Sequence, residues 1–242
     1  MVSKSQIKFV RQLAHKKHRD HFQMFVAEGV KVIREFINEN YQVHQLYTYD
    51  QKHFPSQKIT LVNPTEMKAM SDLKTPSDAL AVFVKPAIQS RSQSDIILVL
   101  ESIQDPGNLG TIIRLCDWFG IDDIVCSFDT VDCYNPKVIR STMGSMARVR
   151  VFYKDLQSWL VQKKDYQIVA TSMAGQSIYH QPMRSPMIVM IGNEGRGLSK
   201  QLLDLSDKSL SIPRYGAAES LNAAMATGII LAEARRNQAT EK

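Results

Sequence analysis

From residue 95 to residue 236, short apolar runs of strand length alternate with helix-patterned segments, and no other feature restricts the possible folds so much. Strands are expected at 96–101, 123–126, 148–153, 167–171, 187–191 and 209–212, and helices at 109–119, 136–143, 156–163, 199–205 and 221–236. The segments 96–100, 124–126 and 187–191 are apolar without interruption, so both of their faces must be covered. Helices between such strands give an α/β fold with a mostly parallel sheet. Ligands in folds of this kind bind beyond the carboxyl ends of the strands, so the loops that follow the strands are the place to look for chemistry.

Residues 1–88 read as a separate small α/β domain. No acidic residue precedes Asp20, while Lys4, Lys8, Arg11, Lys16, Lys17 and Arg19 are interleaved with Ile7, Phe9, Val10 and Leu13, the pattern of a basic amphipathic helix. Phosphate contact and a plain solvated helix face account for it equally well. His15, His18 and His21 are spaced three apart, but no cluster of carboxylates or thiolates joins them, so no metal site is expected. Residues 25–29 lead into a helix whose apolar stripe is Val30, Val32, Ile33, Phe36 and Ile37. Strand 43–49, helix 64–72 and strand 79–84 follow, and the polar residues 89–94 are expected to link this domain to a second one, 95–242.

The charge balance is basic, +6 from 30 Lys and Arg against 24 Asp and Glu, and it is uneven. Residues 1–90 hold 13 basic and 8 acidic side chains, so the front of the chain is the part suited to a polyanion. A second basic run, Lys137, Arg140, Arg148, Arg150 and Lys154, contains no acidic residue between Asp132 and Asp155 and is expected to face RNA. Only three cysteines occur, Cys116, Cys126 and Cys133, without a CxxC pair, which points to free thiols in a reducing cytoplasm. No secretory h-region and no run of 18 apolar residues is present, so neither secretion nor a membrane span is expected.

Three loops carry candidate chemistry. After the apolar run 187–191 comes Gly192-Asn193-Glu194-Gly195-Arg196-Gly197, where three glycines allow a sharp turn and close approach beside one carboxylate and one guanidinium. After strand 96–101, the turn Asp105-Pro106-Gly107 leads to Asn108 at a helix start, with Arg114 about two turns in. After strand 209–212 comes Pro213-Arg214-Tyr215-Gly216, then Ser220, a plausible N-cap, and Asn222 in the first turn of a small-residue helix. Each loop alone has a structural explanation. Together they present Asn, Arg, Glu, Ser and Asn at the ends of three strands.

In order and spacing these segments resemble the three signature motifs of the SpoU (TrmH-like) branch of the SPOUT methyltransferases: Asn108-Leu109-Gly110 with Ile113-Arg114, then 192–197, then Ile212-Pro213 with Ser220-Leu221-Asn222. After Asn222 the chain departs from the usual valine- and serine-containing run, with Ala223-Ala224-Met225. The front domain looks like the L30e-like substrate-binding domain of many members. The resemblance implies a SPOUT domain with a deep trefoil knot, an exception to the rule that chains avoid threading, and a homodimer with its site near the subunit interface. It further implies S-adenosylmethionine as cofactor and a ribose 2′-hydroxyl of RNA as acceptor, ribosomal RNA before transfer RNA. Thr171, Gly192, Asn193, Gly195, Ile212 and Leu221 would hold the cofactor, and Asn108, Arg114, Glu194, Ser220 and Asn222 would serve catalysis. A guanidinium does not readily surrender a proton, so Arg114 is read as stabilising the developing alkoxide and positioning phosphate, with the proton leaving through phosphate, water or Glu194.

Other classes fit less well. A dinucleotide-dependent oxidoreductase would carry GxGxxG after the first strand, and here the glycine loop comes late in the sheet. Ser220 has no GxSxG elbow around it, which removes the usual hydrolase arrangement. An RNA-binding protein with an inactive methyltransferase-like domain remains the main alternative.

Overall fold

The computed structural model describes residues 2–87 and 94–240, the last four by backbone alone; the expected linker, apart from Ser94, lies outside the described residues. In chain order the elements are α1 (Lys4–Gln12), α2 (Lys16–Phe22), β1 (Met24–Glu28), α3 (Val30–Asn38), β2 (Val43–Thr48), β3 (Thr60–Leu61), α4 (Pro64–Met70), β4 (Ala79–Val84), β5 (Ile96–Leu100), α5 (Pro106–Trp118), β6 (Asp123–Cys126), α6 (Pro136–Ser141), β7 (Arg150–Tyr153), α7 (Leu156–Val161), β8 (Gln167–Ser177), β9 (Met187–Ile191), α8 (Lys200–Leu203), β10 (Lys208–Ser211) and α9 (Ala223–Thr240). They gather into two compact units, one formed by the chain up to Ala87 plus Asp132–Ala147, the other by the remainder.

In the first unit the sheet order is β1-β4-β2-β3, with β4 antiparallel to both neighbours. Central β4 is apolar throughout, and the two-residue period of a strand sorts its side chains. Leu80 and Val82 join Val10, Leu13, Tyr47 and Met67 on one face. Phe83 joins an aromatic cluster on the other, 5.7 Å from Phe25 and 5.2 Å from Phe36 between ring centroids. The basic N-terminal stretch is two helices rather than one. At the break Leu13 turns into the core, and the carbonyls of Leu13 and Ala14 accept from the Arg19 guanidinium at 2.9 and 2.7 Å. Arg19 is therefore not phosphate-facing: it is 2% exposed and donates to Asp132 at 2.6 Å.

The alternation of strands and helices assigns residues 136–143 to the second domain, but Asp132–Ala147 belongs to the first unit. Asp132 pairs with Arg19, the Tyr134 ring lies 4.8 Å from Phe25, and the Tyr41 hydroxyl donates to the Met146 carbonyl at 3.4 Å. A helix's apolar stripe records that it is buried, not which sheet buries it. Truncating Asp132 to Ala strands the buried guanidinium and is expected to cost about 3 kcal/mol, read as a lower denaturant midpoint of the full chain. Arg148→Ala, which removes a solvent-exposed partner of Asp117, is expected to cost less than about 1 kcal/mol. Equal losses in the two variants would refute this account of the segment.

The second unit has a six-stranded sheet, β10-β8-β9-β5-β6-β7, parallel at every pairing. On one face Ile97, Val99, Val125, Ile188 and Met190 pack with Leu156, Leu160 and Leu202. The alternate positions Leu98, Leu100, Ile124 and Val189 are also fully buried, so the continuous apolar runs do mark strands covered on both sides. Each such side chain contributes roughly 1.5–3 kcal/mol on leaving water. From central β5 the chain passes to β6 and β7 on one side, while β9, β8 and β10 lie on the other. The carboxyl ends of β5 and β9 therefore form a topological switch point.

Within this unit Arg148 pairs with Asp117 at 2.8 Å and Arg150 with Asp123 at 2.6 Å. The basic run is thus partly neutralised by carboxylates distant in sequence, which no local window displays; Lys137 and Lys154 are exposed. The three cysteines are free and buried, and burial pushes the Cys116 thiol up, away from reactivity.

Candidate active site

Asp105 caps α5: its carboxylate accepts from the Asn108 amide nitrogen at 2.8 Å, and Pro106 occupies the first turn. With the cap supplied by Asp105, the Asn108 side chain is available elsewhere. Its Nδ2 donates to Glu194 Oε1 at 2.7 Å, and its Oδ1 accepts from Asn222 Nδ2 at 2.8 Å. One hydrogen-bonded line therefore joins all three loops. Asn222 in turn caps α9, accepting from Ala224 N at 2.9 Å and Met225 N at 3.3 Å. The helix starts at Ala223, two residues later than the sequence suggests, and Asn222, not Ser220, is its cap because Asn222 Oδ1 reaches the first-turn amides.

The loop after β9 folds back on itself. Asn193 N donates to Gly197 O at 3.1 Å and Gly197 N to Asn193 O at 2.8 Å, while Asn193 Oδ1 accepts from Gly195 N and Arg196 N at 3.0 and 3.2 Å. Asn193 Nδ2 donates to Ser102 O at 2.9 Å and lies 3.4 Å from Glu194 Oε2. A Cβ at Gly192 would stand 2.2 Å from the Gly197 carbonyl carbon, so the turn closes only with glycine there.

Beside this loop is a cavity of about 780 Å³. All six residues expected at the cofactor, Thr171, Gly192, Asn193, Gly195, Ile212 and Leu221, line it, as do Glu194 and Ser220. Strand β8 runs past its expected end at Thr171, and its pairing with β10 jumps from Ala170 to Gln176. The residues in between include Thr171, Ser172 and Met173 on the cavity wall, and Gly175, where a Cβ would lie 2.6 Å from the Leu210 carbonyl carbon. Thr171 Oγ1 donates to Met190 O at 2.8 Å and ties this stretch to β9. Asn108 and Asn222 are not among the lining residues and reach the cavity through Glu194. Arg114 is exposed on the outer side of α5 with Thr111 and Trp118, and it does not line the cavity either. Sequence reasoning missed Ser102, Ser127 and Asp129, which interlock behind the loops; isolated Ser and Asp in turns give no signal of such a role.

Residues 95–232 match the SpoU rRNA methylase family, and residues 4–81 match the MRM3-like substrate binding domain. The chain belongs to the SpoU rRNA methylase family. Among its relatives is the 23S rRNA (guanosine(2553)-2′-O)-methyltransferase RlmP of Bacillus subtilis, 30% identical over 233 residues that span 93% of this chain and 94% of that one. A Porphyromonas gingivalis structure described as a TrmH-family RNA methyltransferase superposes with a TM-score of 0.89 at 32% identity, over 98% of this chain and 99% of the other. An rRNA methyltransferase of Sinorhizobium meliloti with AdoMet bound superposes with a TM-score of 0.88 at 28% identity, over 98% and 97%. The α/β fold with its parallel sheet is thus that of the SpoU methylases. Among the described residues of this SpoU chain, no helix is long and apolar enough to cross a membrane, and no group of His, Cys, Asp or Glu could hold a metal ion.

Proposed function

We propose that this SpoU-family chain transfers the methyl group of S-adenosylmethionine to a ribose 2′-hydroxyl of ribosomal RNA. The observation that carries the proposal is the Asn222–Asn108–Glu194 line, which ties the loop after β5 to a cavity walled by the other two motif loops. The cavity volume lies within the usual range for small-molecule sites. Its lining combines apolar Ile191, Leu210 and Ile230 with polar Thr171, Asn193 and Glu194, a mixture suited to a nucleoside joined to an amino acid. Thr171, Gly192, Asn193, Gly195, Ile212 and Leu221 would hold the cofactor, which when bound supplies an electrophilic methyl on a sulfonium. Ribosomal RNA is favoured because the likeness to the Bacillus subtilis 23S rRNA enzyme extends through the front unit as well as the second.

Glu194 is fixed by amide donors from Asn108 and Asn193, and Ser220 also lines the cavity. These groups orient the nucleotide, so that the hydroxyl meets the methyl in line. Arg114 keeps its own positive charge as the oxygen becomes an alkoxide, stabilising that oxygen and positioning the neighbouring phosphate; the proton departs to phosphate, water or Glu194. Its exposed position suits a group that meets RNA rather than one enclosed with the cofactor. In this proposal the second unit is trefoil-knotted, and the chain works in the cytoplasm as a homodimer with its sites near the interface. Exposed Trp118, Leu221 and Met225, at 83, 48 and 64%, support association. A sedimentation mass near 27.4 kDa, that of one chain, would contradict the dimer.

Methyl transfer to unmodified ribosomal and transfer RNA tests the reading. The expected result is label in ribosomal RNA, reduced about 10²-fold in kcat by Arg114→Ala. Full activity in Arg114→Lys, which keeps the charge and loses the planar fork, would overturn the orienting role. Cofactor binding without transfer to free RNA or ribosomal particles would favour an RNA-binding protein instead.

A further inference from the structure

Ser102, the first residue after β5 and its short extension, has φ +58°, a backbone region that serine rarely occupies. The side chain is buried, and each of its polar groups is engaged. Its N–H donates to Ser127 Oγ at 2.8 Å, its Oγ donates to one oxygen of Asp129, and its carbonyl accepts from Asn193 Nδ2 at 2.9 Å. Ser127 Oγ donates to the other oxygen of Asp129 at 2.5 Å. A single carboxylate in the loop after β6 thus secures both hydroxyls that hold the Ser102 turn. Beyond Ser102 the connection continues through Asn193, whose side chain organises the Gly195 and Arg196 amides and borders Glu194. Asp129 belongs to none of the three motif loops and does not line the cavity.

We infer that Asp129 is a positioning residue for methyl transfer, holding Ser102 in its left-handed conformation and, through Ser102 and Asn193, setting the place of Glu194. The inference rests on the methyltransferase reading given above. Ser102 and Ser127 donate to the Asp129 carboxylate and, with Arg196 nearby, hold it below the usual carboxylate range, so it serves as a charged acceptor throughout the neutral range. The relay is distinct from a general stabilising role, because it passes through one strained residue that can be relieved separately.

The test uses the full chain carrying Asp129→Ala, Ser102→Gly or both. Asp129→Ala is expected to lower kcat about 30-fold while the KM for RNA changes less than about threefold, as fits a small displacement of reacting groups. Amide exchange at Gly195 and Arg196 is expected to quicken about tenfold in the same variant, measured without cofactor or RNA. Glycine takes a positive φ unaided, so adding Ser102→Gly to Asp129→Ala should restore kcat at least about fivefold and return the exchange rates toward those of the unaltered chain. A double variant no better than Asp129→Ala in either readout would overturn the inference, as would unchanged exchange in Asp129→Ala. Should the unaltered chain transfer no methyl group, the functional proposal fails, and the exchange measurement still decides whether Asp129 positions the loop.

Discussion

Gly192→Ala is expected to abolish measurable cofactor binding and to lower the stability of the chain by about 3 kcal/mol, the upper end of what an added methyl costs in a filled site. The new Cβ would stand 2.2 Å from the Gly197 carbonyl carbon and 2.3 Å from the Leu198 nitrogen. Both obstacles are backbone, so no rotamer change relieves them. The turn must open, and the hydrogen bonds that Asn193 makes to Gly195 and Arg196 open with it. At Gly195 the nearest atom to an added Cβ is Asn193 Oδ1 at 3.6 Å, and Gly195→Ala is expected to cost less than about 1 kcal/mol. Calorimetric titration with S-adenosylmethionine and thermal unfolding of both variants check the contrast. Normal affinity in Gly192→Ala would show that the closed turn is not what the cofactor needs.

The second large effect is at Asn108. Asn108→Asp replaces the Nδ2 donor, 2.7 Å from Glu194 Oε1, with an oxygen. Near pH 8 two ionised carboxylates would then face each other, and kcat is expected to fall about 10²- to 10³-fold. Acidification lets the pair share one proton, which restores an O–H donor between them. The variant should therefore regain activity as pH falls, opposite to an unaltered enzyme that must deprotonate a hydroxyl. Asn108→Ala has no proton to regain and should stay low at every pH. Parallel pH–rate profiles of the two variants settle the matter; identical profiles would refute the proposed contact.

Much of this was legible because strands covered on both faces leave an unambiguous trace. The runs at 96–100, 124–126 and 187–191 are apolar at every position, and each became a strand at the expected place. The three loops were legible for a related reason, since polar residues gathered at strand ends do little for a core. What escaped depends on distance along the chain. Arg19 has the look of a phosphate ligand until Asp132, more than a hundred residues away, is brought beside it. Arg148 and Arg150 lose their apparent freedom in the same manner, to Asp117 and Asp123. The cap of α9 was misplaced by two residues because serine and asparagine are comparable caps, and only the fold shows which side chain reaches the amides. Ser102 and Asp129 left no local signal at all: their significance lies in a positive φ and in bonds spanning 25 to 91 residues.

The most direct test of the central claim is the chemical position of the methyl group. After reaction with S-adenosylmethionine, the labelled ribosomal RNA is hydrolysed in alkali and its nucleosides are resolved by mass spectrometry. A methyl group on a ribose 2′-oxygen blocks attack on the adjacent phosphodiester, so the account predicts one alkali-resistant linkage and a nucleoside that loses its methyl with the sugar fragment. A methyl found on a base, with every linkage cleaved, would contradict it.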